Sequence, residues 1–404
     1  MVTFQDLLIA LRTLDSEPLE LDLVQWENSH VEDYELLLPY VDKCITAKFP
    51  KTKPDLPPRP RSKIEKSNAL SARVRRRLAR ILVPPPVVPP PAPPDETMRE
   101  NGVDCVFSVV MEPRLDVSVP LMVWIYDVQH HHFPELLSGR ERRERDMVLT
   151  RESERATRLI AKSTSVAQDV EQFFPGARGK VRILNWVSQI PAGAYDNAPA
   201  HVARKYNLPE TFFYLPNQFW MHKNHTLVVD ALERLRARNV YPVVVCTGKP
   251  HDDRNAEYVG ELLSKIFALN LREQFLVLGS VPRADVYALM RQSLAVLNPS
   301  RFEGFGLSVS EAKSLGKRVL VSDLPSLREQ DAPGARYFNG NDAQELADNL
   351  EQLWRTIPPG PDFELEGQAR AALPARQRAF ASKFLDVARE TIQAFQNQRA
   401  QGAV

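Results

Sequence analysis

Cysteine is scarce. Cys44, Cys105 and Cys246 are too few in 404 residues, and too irregularly placed, to form a disulfide framework or a cysteine metal site. Long hydrophobic runs are missing, since no apolar stretch approaches the ~20 residues that span a bilayer as a helix. The opening Met-Val-Thr-Phe-Gln-Asp lacks the basic and apolar regions of a signal peptide. Net charge is almost absent as well, at +1. Together these shortages argue against secreted, disulfide-built and membrane-spanning classes. The expectation is a cytoplasmic protein whose membrane contact, if any, is peripheral at the inner face.

The charge that is present is unevenly spread. Residues 51–80 hold eleven Lys or Arg against Asp55 and Glu65, a net of +9 that leaves −8 for the rest of the chain. Residues 54–94 contain twelve prolines, which cannot sustain a helix or a sheet, so 51–95 reads as an extended or disordered insertion. Between its proline blocks, Leu70, Val74, Leu78 and Ile81 recur at helical spacing among Arg73, Arg75, Arg76, Arg77 and Arg80. Such an arm, over residues 59–82, can dock on an anionic membrane at ~1 kcal/mol per charge, or pack as a solvated arm on the body of the protein. Nucleic acid is not an expected partner: no aromatics interleave with the basic residues, and the remainder is acidic.

At 404 residues the chain exceeds what one core usually holds, so two domains are expected. From Phe212 onward apolar runs alternate with amphipathic stretches. Phe212 to Leu215, Val243 to Cys246, Phe275 to Leu278, Leu294 to Leu297 and Val319 to Val321 read as strands of a parallel α/β sheet. Their ends carry ligand-type residues on one rim: Asn217-Gln218, Thr247-Gly248-Lys249, Gly279-Ser280-Val281-Pro282-Arg283 and the loop of Glu303. In that last loop, Asn298 to Ala312, Gly304 and Gly306 let the backbone approach a ligand. Leu307, Val309, Ala312 and Leu315 then fit a helix ended by Gly316. The N-terminus of that helix would point free N–H groups into the crevice where a diphosphate binds in open α/β folds. Glu303 and Glu311, beside a phosphate site, are better matched to sugar and ribose hydroxyls than to phosphate.

The string Glu303-Gly304-Phe305-Gly306-Leu307, with Glu311 eight residues after Glu303 and a following Gly-Lys-Arg-Val strand, resembles the signature of retaining group 1 glycosyltransferases of the family 4 type. The resemblance implies GT-B architecture, two facing Rossmann-like domains with a deep cleft between them. It covers roughly residues 100–395, more loosely in the first half. It implies an acceptor-side domain over 1–195, carrying the insertion and completed by a C-terminal helix over 376–404, and a nucleotide-sugar domain over 205–375. In this family a Lys, preceded five residues earlier by an Arg, clamps the diphosphate; here Lys223 matches and the Arg position is Gln218. Lys249 and Arg283 are candidates to supply the missing cation. The Gly279 to Arg283 loop, Val281 included, matches the one that holds the base, without distinguishing UDP from GDP. Phe219 and Trp220 read as packing residues.

In the first half, Val119 to Tyr126 reads as a buried strand that runs into Asp127-Val128-Gln129-His130-His131-His132-Phe133-Pro134. This resembles the Asp-x-Gln-His segment of a bacterial polysaccharide or O-antigen subgroup, where a His meets the donor sugar, and His130 is the match. In an extended loop only His130 and His132 would share a side, and no third ligand stands at suitable spacing, so no metal is expected. Ser163 reads as a helix cap on the same rim. The family's opening strand and Gly-rich loop are not found, so the first domain is expected to begin inside the fold. The resemblance implies transfer of a hexose from a nucleoside diphosphate to a hydroxyl of a glycan or lipid-linked glycan with retention, without a cofactor. It assigns Glu303, Lys223 and His130 catalytic roles. Asn217, Gln218, Gly304, Phe305, Gly306, Leu307 and Glu311 join the donor contacts. A non-catalytic sugar-nucleotide binder and a GT-B sugar-nucleotide epimerase are the alternatives.

Overall fold

A computed structural model of the chain describes residues 2–14, 19–26, 37–47, 94–109, 118–196 and 198–401. The Pro-rich basic stretch up to residue 93, with the proposed arm at 59–82, lies outside the described residues.

All strand pairs among the described residues are parallel. β1 (Asp22–Trp26) and β2 (Lys43–Ala47) form a two-stranded sheet. β3 (Val106–Val109), β4 (Leu121–Trp124), β5 (Arg158–Ala161) and β6 (Val181–Ile183) make a four-stranded sheet in sequence order. The second domain holds β7 (Phe213–Leu215), β8 (Val244–Thr247), β9 (Phe275–Gly279), β10 (Val296–Asn298), β11 (Val319–Ser322) and β12 (Arg336–Phe338). Its order is β12-β11-β10-β7-β8-β9. The chain therefore winds outward from the middle in both directions, and the reversal falls between β7 and β10. At such a switch point the two flanking loops splay apart and leave a crevice at the carboxyl ends of the strands.

The apolar runs become strands because both sheet faces are covered. β4, β7, β8, β10 and β11 are buried at every position. The helix His225–Ala237 packs against the helix Ala343–Thr356 and buries Leu227, Val228, Ala231, Leu232 and Leu235 against one face of the second sheet. A second buried cluster crosses between the domains, from Leu7, Trp124 and Trp186 to Phe305, Val309, Phe380 and Phe384. The two halves thus share apolar packing beneath the crevice.

The last helix differs from the sequence reading. Expected over 376–404, it starts at Phe363 just after Pro358-Pro359-Gly360-Pro361, capped by Asp362, and runs through Pro374 to Ala400. Thirty-eight residues at 1.5 Å each make it about 57 Å long. Its start is fixed in the second domain by a buried Arg291–Glu366 pair at 2.8 Å. Its far part lies on the first, where Glu390 meets Arg158 of β5 and Arg182 of β6, Phe384 packs edge-on to Phe107, and Phe380 meets Trp186. The two guanidiniums, Arg182 first, hold the Glu390 carboxyl down at about 2.

Candidate functional site

The loops leaving β7 and β10 meet across the switch point. After β7 the chain passes Asn217 and Gln218 and makes a tight turn at Met221–Lys223. Lys223 does not open the following helix. Asn224, in the left-handed conformation (φ 59°), reverses the chain first, and the helix starts at His225. The reversal is fixed by the Asn224 amide, which donates to Pro299 O and Gly340 O at 3.0 and 2.9 Å. It aims Lys223 at the β10 loop, where Nζ reaches Glu303 Oε1 at 2.7 Å. Asn298 Nδ2 and Ser300 Oγ donate to the same oxygen at 3.0 and 2.8 Å. Both side chains are largely covered, 13% and 8% exposed.

The helix Leu307–Leu315 starts directly behind this pair. Gly306 precedes it at φ +83°, and a Cβ there would fall 2.4 Å from Leu327 Cδ2, so both backbone and space require glycine. The Gly306 carbonyl accepts from Gln330 Nε2 at 3.0 Å, as does that of Phe305. Phe305 is buried and Leu307 partly so. Ser308, in the first turn, donates to Asn217 Oδ1 at 3.4 Å, while Asn217 Nδ2 is buried with no partner among the described residues.

Glu311, one turn inside, pairs with Arg283 Nη2 at 2.5 Å. Burial raises its carboxyl above the usual range and Arg283 opposes the rise. Arg283 Nε also donates to Tyr287 Oη at 2.8 Å. Arg283, offered from sequence as a spare cation, is therefore engaged by the carboxylate assigned to ribose. Gln218 Oε1 accepts from the Lys249 backbone N–H at 2.8 Å, and the Lys249 side chain is exposed. Gly279 ends β9, and the partly exposed Val281 leads to the helix Arg283–Gln292.

The first domain closes over this loop. Ser163 caps the helix Thr164–Phe173, accepting from Val166 N at 3.3 Å, and donates from Oγ to Gly304 O at 2.7 Å. Glu329 accepts from Thr164 N (2.8 Å), Thr164 Oγ1 (3.0 Å) and Asn185 Nδ2 (2.9 Å), placing a carboxylate at that helix N-terminus. Sequence reasoning passed over Lys162, just after β5. It is buried beneath Phe305 (5.5 Å from the ring centroid), against Trp124 (3.9 Å) and Trp186 (4.2 Å). Burial holds its amine well below the usual range. The signal was a lysine ending an apolar run. Asp6, missed among Phe4, Leu7 and Leu8, accepts from Gln189 N at 3.1 Å, and burial lifts its carboxyl to about 7.

The histidine run is corrected. Gln129–His132 is a helical turn, not an extended loop, because Asp127 Oδ1 accepts from Gln129 N at 3.0 Å and starts the coil. It brings His130 and His131 together: their Nε2 atoms lie 3.0 and 2.9 Å from Asp146 Oδ1. His132 instead meets Asp169 at 2.7 Å. His130, His131 and Asp146 are the one group among the described residues whose donor atoms gather closely enough to hold a metal ion, within 4.8 Å. The third ligand, sixteen residues from His130, was invisible to spacing. His130 is buried, which lowers its pKa against the pull of Asp146, and its Nδ1 has no partner among the described residues. Phe219 is fully buried, and Trp220, 39% exposed, stacks on His222 with ring centroids 5.7 Å apart.

Two α/β domains facing across a crevice, with a basic–acidic pair at the switch point of the second, define the GT-B class of glycosyltransferase folds. Residues 201–356 match the glycosyl transferases group 1 family. The likeness to that family lies in the second domain. It is 28% identical over 148 residues to the O-antigen chain mannosyltransferase RfbU of Salmonella typhimurium, covering 36% of this chain and 39% of that protein. It is 29% identical over 219 residues to the serotype-specific mannosyltransferase WbdA of Escherichia coli, covering 50% of this chain and 25% of WbdA. The chain thus spans well under half the length of these relatives. Among solved structures, HepE of Anabaena in complex with UDP-glucose superposes with a TM-score of 0.57 at 17% identity, covering 99% of this chain and 96% of HepE. A glycosyltransferase from Rickettsia africae gives 0.59 at 14%, covering 92% and 99%. At these identities the likeness is one of fold.

Proposed function

We propose that this chain moves a hexose from a nucleoside diphosphate to an acceptor hydroxyl on a glycan or lipid-linked glycan, with retention of configuration. The Lys223–Glu303 pair, set at the switch point in front of the helix Leu307–Leu315, carries the reading. As the C1–O bond breaks, negative charge grows on the leaving diphosphate, and Lys223 with the N–H groups of that helix stabilises it. The described donors to the Glu303 carboxylate all fall on Oε1, which leaves Oε2 to take sugar hydroxyls. Glu311 takes the ribose. Asp146 fixes the His130 proton on Nε2, so Nδ1 is the atom that accepts from the sugar. The acceptor attacks from the leaving-group face, and its proton passes to the departing diphosphate oxygen.

The sugar reading leans on the relatives named mannosyltransferases, which makes a mannose donor the first to test; UDP-glucose, bound by HepE, is the second. No helix among the described residues is long and apolar enough to cross a membrane, and a cytoplasmic site with peripheral membrane contact is the matching proposal. A non-catalytic sugar-nucleotide binder is the second reading, favoured by Gln218 in place of the family's Arg. A thermal-shift panel of UDP, GDP, ADP and dTDP with their sugar conjugates, on wild type and Glu311→Ala, tests the binding half. Stabilisation by one nucleotide, lost in the variant, is expected; silence at millimolar concentration would sink both readings. Turnover, with product stereochemistry read by NMR, separates them.

A further inference from the structure

The turn Gln129–His132 and the helix Gly139–Arg155 bring together three ligand-type side chains, His130, His131 and Asp146, whose ligand atoms lie within 4.8 Å of one another. Successive residues on a helical turn diverge by about 100°. Here the two imidazoles converge instead, with ring centroids 4.4 Å apart. Packing fixes both rings. The His130 side chain is 2% exposed, and His131 lies flat on Phe173 at 4.1 Å with Phe174 edge-on at 5.6 Å. Asp146 is carried by a helix whose start is held by the Ser138–Glu141 capping box. One carboxylate oxygen does not satisfy both rings. Asp146 Oδ1 accepts from His130 Nε2, whereas His131 Nε2, 2.9 Å from the same oxygen and shielded from solvent, has no hydrogen-bond partner among the described residues.

We infer that His130, His131 and Asp146 bind a divalent ion of the zinc class through the two Nε2 atoms and the Asp146 carboxylate. A tetrahedral ion with ligands about 2.0–2.2 Å away sets them roughly 3.3 Å apart. The two Nε2 atoms stand 3.0 and 2.9 Å from Asp146 Oδ1, and Asp146, 43% exposed, has room to back away by the roughly 0.3 Å required. The ion gives the His131 Nε2 lone pair the partner it lacks. Two imidazoles and a carboxylate suit Zn2+ or Co2+, whereas Mg2+ and Ca2+ ask for oxygen ligands. Three protein ligands leave a fourth position for water. The charge of Arg145, next to Asp146 in sequence, is met in part by Asp127 at 4.0 Å. The site stands without the nucleotide-sugar reading, but its consequence for transfer rests on that reading. A neutral imidazole has one proton. An ion on His130 Nε2 takes that lone pair and leaves the proton on Nδ1, so the atom proposed to accept from the sugar becomes a donor. Transfer then slows when the ion is bound.

The untagged full chain, treated with a chelator and dialysed, is titrated with Zn2+ by calorimetry and with Co2+ by visible absorption. A single ion per chain is expected, with the spectrum of four-coordinate Co2+, and millimolar Mg2+ should not displace it. Zinc affinity should fall by about tenfold or more in His131→Phe, which keeps a ring on Phe173 without a ligand atom, and in Asp146→Ala. Should His131→Phe not melt cooperatively, Asp146→Ala, at a partly exposed helix position, decides alone. Affinity unchanged in the folded variants means adventitious binding at cysteines or other histidines and overturns the site. Displacement by Mg2+, or no zinc binding at all, overturns it equally. Hexose transfer by wild type should slow several-fold at saturating zinc and recover with chelator, and that sensitivity should vanish in His131→Phe. Zinc that binds without slowing transfer overturns the switch and leaves the site. A chain that binds zinc but transfers no hexose from any donor refutes the nucleotide-sugar reading, and the switch falls with it.

Discussion

Lys223 and Glu303 neutralise each other in a place where neither is well hydrated. Such a pair adds little to stability, since two lost hydration shells offset the attraction, but removing one member strands a buried charge at a cost of about 3–5 kcal/mol. Lys223→Met should therefore lower stability by about that range, discounted for the two neutral donors that stay on Glu303. The double variant Lys223→Met/Glu303→Gln should recover most of it, while neither binds the nucleotide. Denaturant midpoints and nucleotide titration check both halves; a double variant less stable than the single one refutes the pairing argument. The motif residues were legible because their spacing along the chain is itself the pattern. Asp146, Glu329 and Asp6 were not, because each acquires meaning only from a partner that folding brings beside it.

Among the elements, the Asn298–Gly306 loop is gripped from both sides, by Ser326 Oγ on the Glu303 carbonyl at 2.7 Å and by Ser163 on that of Gly304. Gly304→Ala would drive a methyl group into Tyr126 O. Because the obstruction lies in the first domain, nucleotide affinity should fall by less than about threefold, while transfer falls by about 100-fold through misplacement of the reacting groups. Equal losses in both would show that the loop is damaged within its own domain. The second-domain strands could be read in advance because burial on both faces leaves an unbroken apolar run. The turn at Gln129–His132 could not: four polar residues carry no periodicity, and one Asp127 hydrogen bond decides between coil and extension. The two short strands at Asp22–Trp26 and Lys43–Ala47 sit among weak patterns.

For the whole molecule, pH exposes an opposition. Burial holds His222 at about 2 and His225 at about 3, so both are neutral when folded. Unfolded, they take protons below about 6.5, and the stability they permit is complete above that pH and lost as it falls. Asp6 acts in reverse: its folded value of about 7 lies above the unfolded one, so its contribution is present at low pH and lost as pH rises towards 7. In wild type the Asp6 trend offsets part of the histidine loss between about pH 7.5 and 5.5. In Asp6→Asn that opposition is gone, and because the buried Lys162 and His130 also lose stability as pH falls, unfolding free energy should drop by at least about 2–3 kcal/mol over that interval, one unit below 6.5 at about 1.4 kcal/mol for each of His222 and His225. Equal slopes in the two proteins would refute this. The last helix has a different kind of consequence. Trp186 waits for Phe380, and Phe107 for Phe384. On a ribosome making about 5–20 residues per second, the first-domain core stays unfinished for roughly 10–40 s after its last strand has emerged. Its exposed aromatics are then clients for a holding chaperone, and the second domain, though later in sequence, is the one placed to fold first.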